Sequence, residues 1–113
     1  MKVIDYHQVP LEEVSGEAKG VKVRWLISDK DKAKNFAMRL FEVEAGGFTP
    51  VHSHDWEHEV FVLEGEGEVN IEGKVYPIKK DSVVLVEPAQ KHTFQNTGEG
   101  LLKFLCLIPY KKA

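Results

Sequence analysis

Three of the five histidines in this chain, His52, His54 and His58, lie within seven residues of one another. Neutral imidazole is a common protein ligand for transition metal ions. In an extended segment, side chains two residues apart point the same way with Cα atoms roughly 6.5 Å apart, so His52 and His54 can converge on one ion. Residues 55–57 allow a turn, after which His58 or Glu59 can return as a third ligand. The stretch therefore predicts a metal site.

Strand alternation leaves the choice between His58 and Glu59 open. If His58 faces the interior, the side chains at positions 60 and 62 do so too. If Glu59 faces the interior, those at positions 61 and 63 accompany it. All four of these residues are apolar, so either orientation would bury an apolar face.

Length and composition indicate one soluble domain, since domains commonly have about 100–150 residues. Of the 113 residues, 42% are hydrophobic and 29% are charged. We expect an N-terminal arm or edge strand over residues 1–20 and a barrel over residues 21–109. The net charge of −3, without a basic stripe, argues against nucleic acid as a partner.

No apolar run approaches the roughly 20 residues of a membrane span, so we expect no membrane partner. The N-terminus also lacks the apolar core of a signal peptide. The single cysteine, Cys106, cannot form an internal disulfide, which fits a reducing compartment. We therefore expect a cytoplasmic protein.

The apolar residues occur in short runs that are typical of β-strands. We expect extended segments over residues 21–27, 35–44, 60–63, 65–71, 74–78, 83–86, 92–96 and 101–108. Gly46 and Gly47 should end the second segment, and Glu72 with Gly73 should form a hairpin turn. The run at 83–86 is entirely apolar and is expected to be buried. Short strands separated by turn signals, without a helical period, predict an all-β sandwich or barrel.

The histidine stretch resembles the first motif of the cupins, G-x5-H-x-H-x3,4-E-x6-G. The matching residues are Gly46, His52, His54, Glu59 and Gly65, with five rather than six residues between the last two. The spacing up to the glutamate agrees with the motif. The shorter final interval affects the loop and removes no candidate ligand.

Residues 81–96 resemble the second cupin motif, G-x5-P-x-G-x2-H-x3-N. Pro88, His92 and Asn96 match the motif, although three rather than four residues separate Pro88 from His92. An aspartate or serine replaces the opening glycine, and Gln90 lies where a glycine is common. The presence of two motifs at the expected separation is more specific than either motif alone. The resemblance implies a small antiparallel β-barrel, the double-stranded β-helix or jelly-roll fold of the cupins.

His58 makes the chain similar to small single-domain manganese cupins whose ion is held by four histidines. By that resemblance the ligands are His52, His54, His58 and His92. Glu59 is then displaced from the ion, where it could accept a hydrogen bond from a ligating imidazole. Four neutral imidazoles leave the full +2 charge on the ion, whereas a carboxylate would cancel one unit.

We expect one divalent transition metal ion per chain as the cofactor. Imidazole suits zinc, copper, iron and nickel, whereas the resemblance favours manganese. Four protein ligands on a six-coordinate ion would leave two positions for dioxygen, peroxide or a bidentate oxygen ligand. This predicts a metal-dependent oxidoreductase of dioxygenase type that acts on a small organic molecule. The alternatives are a non-catalytic module that binds a small anion through its metal, and a sugar-type isomerase with Glu59 as its base.

Four residues are candidates for the substrate pocket: Phe94, Trp56, Ile108 and Arg39. Phe94 shares the face of His92 and could equally be core, and Trp56 could be a loop aromatic at a subunit contact. Arg39 could bind a substrate carboxylate, although an exposed position is the preferred interpretation. Cys106 is expected to be a buried inert thiol or, as the resemblance suggests, a neighbour of the ion.

Several strands are apolar on both faces, which happens when one face fills a barrel and the other meets a second sheet or subunit. Together with the resemblance, this surplus predicts a homodimer. We expect the N-terminal segment to join the sheet of the partner chain.

Overall fold

The computed structural model describes residues 1–110, which form β-strands and two short 3-10 helices. The strands are β1 (Glu12–Glu13), β2 (Lys19–Ile27), β3 (Phe36–Phe48), β4 (His58–Glu64), β5 (Glu66–Ile71), β6 (Lys74–Lys79), β7 (Val83–Val86), β8 (His92–Asn96) and β9 (Leu102–Pro109). The 3-10 helices are Tyr6–Gln8 and Asp29–Asp31. None of the helices in this part of the chain is long and apolar enough to cross a membrane. The predicted all-β, antiparallel fold is confirmed.

The strands form one curled antiparallel sheet in the order β6-β5-β8-β3-β9-β4-β7, while β2 pairs with β3 and β1 pairs with β2. The long strand β3 pairs with β9 from Phe36 opposite Pro109 to Val43 opposite Leu102. At its far end β3 also pairs with β8. Strands that are distant in sequence are thereby placed side by side around a common interior.

The predicted end of the second strand at Gly46 and Gly47 is wrong, because β3 continues to Phe48. Gly46 has a φ of 78°, a left-handed conformation that glycine adopts without strain. A Cβ atom on Gly47 would lie 2.5 Å from the carbonyl oxygen of Lys19. These glycines therefore bend the strand and let β2 approach it closely.

The alternation of buried and exposed residues along β4 shows which of His58 and Glu59 faces the interior. His58 is buried, as are the residues at 60 and 62, whereas Glu59 and the residues at 61 and 63 are exposed. His58 therefore faces the interior and Glu59 faces outward. The strand β7 alternates in the same way: Val83 and Leu85 are 77% and 56% exposed. The expectation of a fully buried strand at 83–86 is wrong.

The predicted hairpin is present between β5 and β6. Its two turn residues, Glu72 and Gly73, have φ values of 53° and 83°. Two consecutive positive φ angles are typical of the tight type I′ turn, which matches the right-handed twist of the paired strands.

The N-terminal arm lies along β2 of the same chain. Lys2 Nζ donates to the Leu26 carbonyl at 2.8 Å and is 3.1 Å from Asp31 Oδ1. Arg24 donates to the Val9 carbonyl at 2.6 Å. The arm ends at residue 18 rather than 20, because β2 begins at Lys19. Within a single chain the arm therefore lies against its own sheet.

Candidate metal centre

The four candidate ligands come from three parts of the fold. His58 begins β4 and His92 begins β8, while His52 and His54 lie in the segment between β3 and β4. An isolated antiparallel bridge joins two of these parts: His52 N donates to His92 O at 3.0 Å, and His92 N donates to His52 O at 2.8 Å. The backbone thus ties the first histidine segment to β8.

The four imidazole rings are neighbours in space. Their centroids are 4.6 Å apart for His58 and His92, 5.2 Å for His52 and His54, 5.2 Å for His54 and His58, and 6.2 Å for His54 and His92. Rings bound to one ion at about 2.1 Å have centroids roughly 4.5 to 6.5 Å apart. As the side chains stand, however, no three His, Cys, Asp or Glu residues among residues 1–110 form a group that could hold a metal ion. Ion binding would therefore require the rings to turn.

The four rings are electrically neutral at neutral pH. Burial is the largest cause that lowers the pKa of each imidazole, and the charge of Arg39 adds to the effect at all four. For His58, burial followed by the nearby His92 and Arg39 lowers the pKa to about 3. A neutral imidazole retains a lone pair on one ring nitrogen, which is the form that binds metal ions.

Hydrogen bonds indicate which nitrogen carries the lone pair. His92 Nδ1 lies 3.0 Å from the Gln90 carbonyl oxygen. That oxygen can only accept, so the Nδ1–H group donates and Nε2 keeps the lone pair. His58 Nδ1 lies 3.4 Å from Cys106 Sγ, whereas its Nε2 is buried with no hydrogen-bond partner in the described part of the chain. An unsatisfied buried polar atom costs about 1–3 kcal/mol, and a metal ion at Nε2 would remove that cost.

A cavity of about 380 Å³ adjoins these rings, which is near the small end of ligand pockets, about 300–1,000 Å³. The structure places all four predicted pocket residues on its wall: Phe94, Trp56, Ile108 and Arg39. The other lining residues are Glu12, Glu13, Val14, Ser15, Val23, Trp25, Phe41, Thr49, Pro50, His52, His54, His58, His92, Phe104 and Cys106.

The aromatic wall also fixes the geometry of the site. Trp56 stacks on His54 with centroids 4.4 Å apart and planes 5° from parallel, so it restricts the orientation of that ring. Phe94 is only 4% exposed and stacks on Phe104 at 4.6 Å. Phe94 is therefore both core and pocket wall, which joins the two interpretations that the sequence left open.

Glu59 does not lie near the four rings. It pairs with Leu85 of β7 and Leu107 of β9 on the outer face of the sheet, and its side chain makes no hydrogen bond to an imidazole in the part of the chain that the structure describes. The expectation that Glu59 accepts a hydrogen bond from a ligating histidine is wrong here. The reason is parity: an inward His58 forces its neighbour outward.

Cys106 and Arg39 form a short polar chain that ends at His58. Arg39 Nη2 donates to Cys106 Sγ at 3.0 Å, and His58 Nδ1 is 3.4 Å from the same sulfur. Burial raises the pKa of the Cys106 thiol, so the thiol is neutral at neutral pH. Arg39 faces the cavity with its Nε buried, and the preferred expectation of an exposed arginine is wrong.

Sequence reasoning missed several lining residues, including Trp25, Phe41 and the β1 residues Glu12 and Glu13. Phe41 could have been found, because it lies two residues from Arg39 and shares its face. Trp25 pairs directly with Arg39 across β2 and β3, but that register depends on tertiary structure. The position of β1 over the cavity has no signal in the local sequence.

Residues 39–108 match the family profile described as Cupin domain. Over 79 residues, 69% of its length, the chain is 34% identical to the oxalate-binding protein of Thermotoga maritima. Over 81 residues, 70% of its length, it is 31% identical to the L-ectoine synthase of Saccharophagus degradans. These matches cover 64% and 60% of the two proteins, so the chain spans less than two thirds of the length of these curated relatives.

The sheet also superposes on the structure of the polyketide cyclase RemF from Streptomyces resistomycificus. The TM-score is 0.92 at 31% sequence identity, covering 98% of this chain and 80% of RemF. The matched residues 39–108 include all four imidazoles and the part of the cavity wall from Arg39 to Ile108. The chain belongs to the cupin family.

Proposed function

We propose that this cupin binds one divalent transition metal ion through His52, His54, His58 and His92, and oxidises a small organic molecule in the adjoining cavity by a dioxygenase-type reaction. Manganese is the first candidate ion, followed by iron, nickel, zinc and copper. The observation that carries the proposal is the buried Nε2 of His58, which has no hydrogen-bond partner within residues 1–110 and lies beside the neutral rings of His54 and His92.

A purely structural role would leave that nitrogen unexplained. Buried polar side-chain atoms in folded proteins almost always have a hydrogen-bond partner. His58 has a partner at Nδ1 only, and the rings of His54 and His92 lie 5.2 Å and 4.6 Å away. A ligand that accepts electron density from several imidazole nitrogens would satisfy all of them together, and a transition metal ion has that chemistry.

A transition metal ion held there would supply coordination positions at which dioxygen and an oxygen atom of the substrate can bind. The remaining contributions come from the chain. Phe94, Phe104 and Ile108 present apolar surface to the cavity, which limits access of water to reactive species. Trp56 holds the plane of the His54 ring by stacking.

Metal-dependent binding of a small anion without turnover is the second candidate function. Two observations favour it: one relative is named for oxalate binding, and the cationic Arg39 lines the cavity. The names of the other two relatives, a synthase and a cyclase, show that the cupin fold alone does not determine the reaction. The isomerase alternative needs a base beside the ion, and the outward position of Glu59 removes the residue that was expected to supply it.

The test combines metal content with oxygen uptake. Protein loaded with Mn²⁺ or Fe²⁺ should retain about one ion per chain after desalting, and His52→Ala and His92→Ala should each retain less than about a tenth of that. His7→Ala is the matched control, because His7 is exposed and lies outside the cavity. Loaded protein should consume oxygen with at least one member of a panel of small carboxylic acids, and the two site variants should not.

The outcomes separate the two candidates. Metal retention with tight binding of an acid that is recovered unchanged would support the binding role and exclude the dioxygenase. Equal metal content in wild type, His52→Ala and His92→Ala would contradict both candidates.

A further inference from the structure

Arg39 occupies an unusual position for an arginine in a small β protein. It is the fourth of the thirteen residues of β3, opposite Trp25 on one side and Cys106 on the other. Its guanidinium carbon lies 5.4 Å from the Trp25 ring centroid and 4.8 Å from that of Phe41. The two rings support the planar group by cation–π contact, so its orientation within the cavity is defined.

The charge of Arg39 has no counter-ion within the described chain. No carboxylate of residues 1–110 forms an ion pair with it, since the ion pairs present involve Lys2, His7 and Arg24. Its one side-chain hydrogen bond goes to Cys106 Sγ, and that thiol is neutral. Glu12 and Glu13 line the same cavity without reaching the guanidinium. An unpaired, partly buried cation is costly, and an anion in the cavity would offset that cost.

The outer end of the guanidinium is open to the cavity. Nη2 donates to Cys106 Sγ and Nε is buried, whereas Nη1 is accessible and makes no hydrogen bond within residues 1–110. The N–H groups of an arginine form a planar fork that matches the two oxygens of a carboxylate, and Nη1–H together with the second N–H of Nη2 provides that fork here. The same thiol lies 3.4 Å from His58 Nδ1, so the fork is adjacent to the imidazole cluster.

We propose that Arg39 determines the substrate class of this cavity by binding the carboxylate of a small organic acid whose body is apolar and contains a flat ring. The carboxylate pairs with the guanidinium, and the ring packs among Trp25, Phe41 and Phe94 with one edge toward the imidazoles. The proposal rests on the proposed function only in taking the cavity as the substrate site. It holds whether or not the bound acid is transformed.

Benzoate and benzamide are suitable probes, since they share size and ring and differ in charge. Calorimetric titration of metal-loaded protein should show that Arg39→Met weakens benzoate binding at least about tenfold, because a charge-assisted bidentate contact is lost. The benzoate affinity of Arg39→Lys should lie between those of wild type and Arg39→Met, since lysine keeps the positive charge but lacks the planar fork of N–H groups. Benzamide binding should change by less than about twofold in both variants.

Lys79→Met is the matched control. Lys79 is exposed on β6, away from the cavity, so the variant removes one positive charge without touching the site. Its benzoate affinity should equal that of wild type. The proposal is overturned if wild type does not bind benzoate up to about 10 mM, if Arg39→Met leaves benzoate affinity unchanged, or if Lys79→Met or benzamide shows the same loss.

A second measurement on the unaltered chain covers the case in which an Arg39 variant fails to fold. The chain contains two arginines, Arg24 and Arg39, so a ¹H–¹⁵N spectrum contains at most two arginine Nε–H signals. In metal-free protein, saturating benzoate should shift the Arg39 signal and leave that of Arg24 in place. No benzoate shift at Arg39 would overturn the proposal. Because no metal is present, this result is independent of whether the imidazoles bind an ion.

Discussion

The sheet interior has a packed half, around Val43, Val62 and Leu102, and a cavity half, around the imidazoles. Asn96 in the first and His58 in the second are both buried, and they differ in how completely their hydrogen bonds are satisfied. In the packed half Asn96 is 2% exposed, donates two hydrogen bonds of 2.8 Å to backbone carbonyls and accepts one of 2.9 Å from a backbone N–H. In the cavity half, His58 Nε2 and Arg39 Nε are buried and have no hydrogen-bond partner among residues 1–110.

The same strands build both halves, so the difference does not come from separate structural units. Along the inward face of β4, His58 is followed by two buried valines; along that of β9, Leu102 and Phe104 are followed by Cys106 and Ile108. A buried polar group with every bond satisfied contributes to folding specificity, whereas one left unsatisfied is available to a ligand. Asn96 and His58 are both buried, so burial alone does not distinguish a core residue from a binding residue. The distinction lies in whether the buried polar atoms have hydrogen-bond partners.

The largest expected effect is loss of stability in the packed half. Leu102 is fully buried, so Leu102→Ala should lower the free energy of unfolding by about 2–5 kcal/mol through the cavity that it leaves. Urea denaturation measures this change. Val75→Ala is the control, since Val75 is 50% exposed, and it should cost less than about 1 kcal/mol. Metal content per folded chain should not change in either variant. If Leu102→Ala lost metal while its free energy of unfolding stayed unchanged, the division of the interior into a packed half and a cavity half would be wrong.

The next effect is on binding in the cavity half. His58→Leu should reduce metal affinity at least about a hundredfold. Loss of a residue that only hydrogen-bonds to a metal ligand costs about 10–100-fold in affinity, and loss of the ligand itself should cost more. In the metal-free protein the same change should leave the free energy of unfolding the same or higher, since it removes an unsatisfied buried nitrogen. Metal titration and urea denaturation provide the two readouts. Unchanged metal affinity, or a large loss of stability, would assign His58 to the core.

Asn96→Leu applies the same kind of replacement to a satisfied polar group. It should lower the free energy of unfolding by about 1–3 kcal/mol, because two backbone carbonyls and one backbone N–H lose their partner. Metal affinity should remain within about twofold of wild type. Urea denaturation of Asn96→Leu and of metal-free His58→Leu, measured side by side, compares the two replacements directly. If the two variants change stability by the same amount and in the same direction, the hydrogen-bond argument fails.

The smallest expected effect concerns the outer face of β4 and β7, which neither half uses. Phe61 and Val83 are paired there and are 41% and 77% exposed, and Leu85 lies beside them. We propose that a second copy of the chain covers this apolar surface. Sedimentation should show a homodimer at micromolar concentration, and Leu85→Lys should weaken it at least about tenfold. A wild-type monomer under those conditions would refute the dimer.

Much of the fold was accessible from sequence, since strand alternation and turn chemistry are local properties. The hairpin at Glu72 and Gly73 illustrates this, because φ above zero favours glycine whatever surrounds the turn. The errors arose where neighbouring strands decide the outcome. β3 continues past Gly46 and Gly47 because Lys19 of β2 packs closely against Gly47. Val83 is exposed because β7 has only one face toward the interior.

The sequence by itself determined which chemical groups are present and which of them share a face within one segment, since alternation repeats every two residues without reference to the rest of the chain. On that basis it predicted the histidine cluster, the two cupin motifs and the aromatic pocket candidates. Tertiary structure alone decided that His58 and not Glu59 turns inward, that His92 lies beside His58, and that Arg39 faces the cavity. These features depend on strand register, which is set by the burial of whole apolar faces, and a shift of one residue would reverse every side chain.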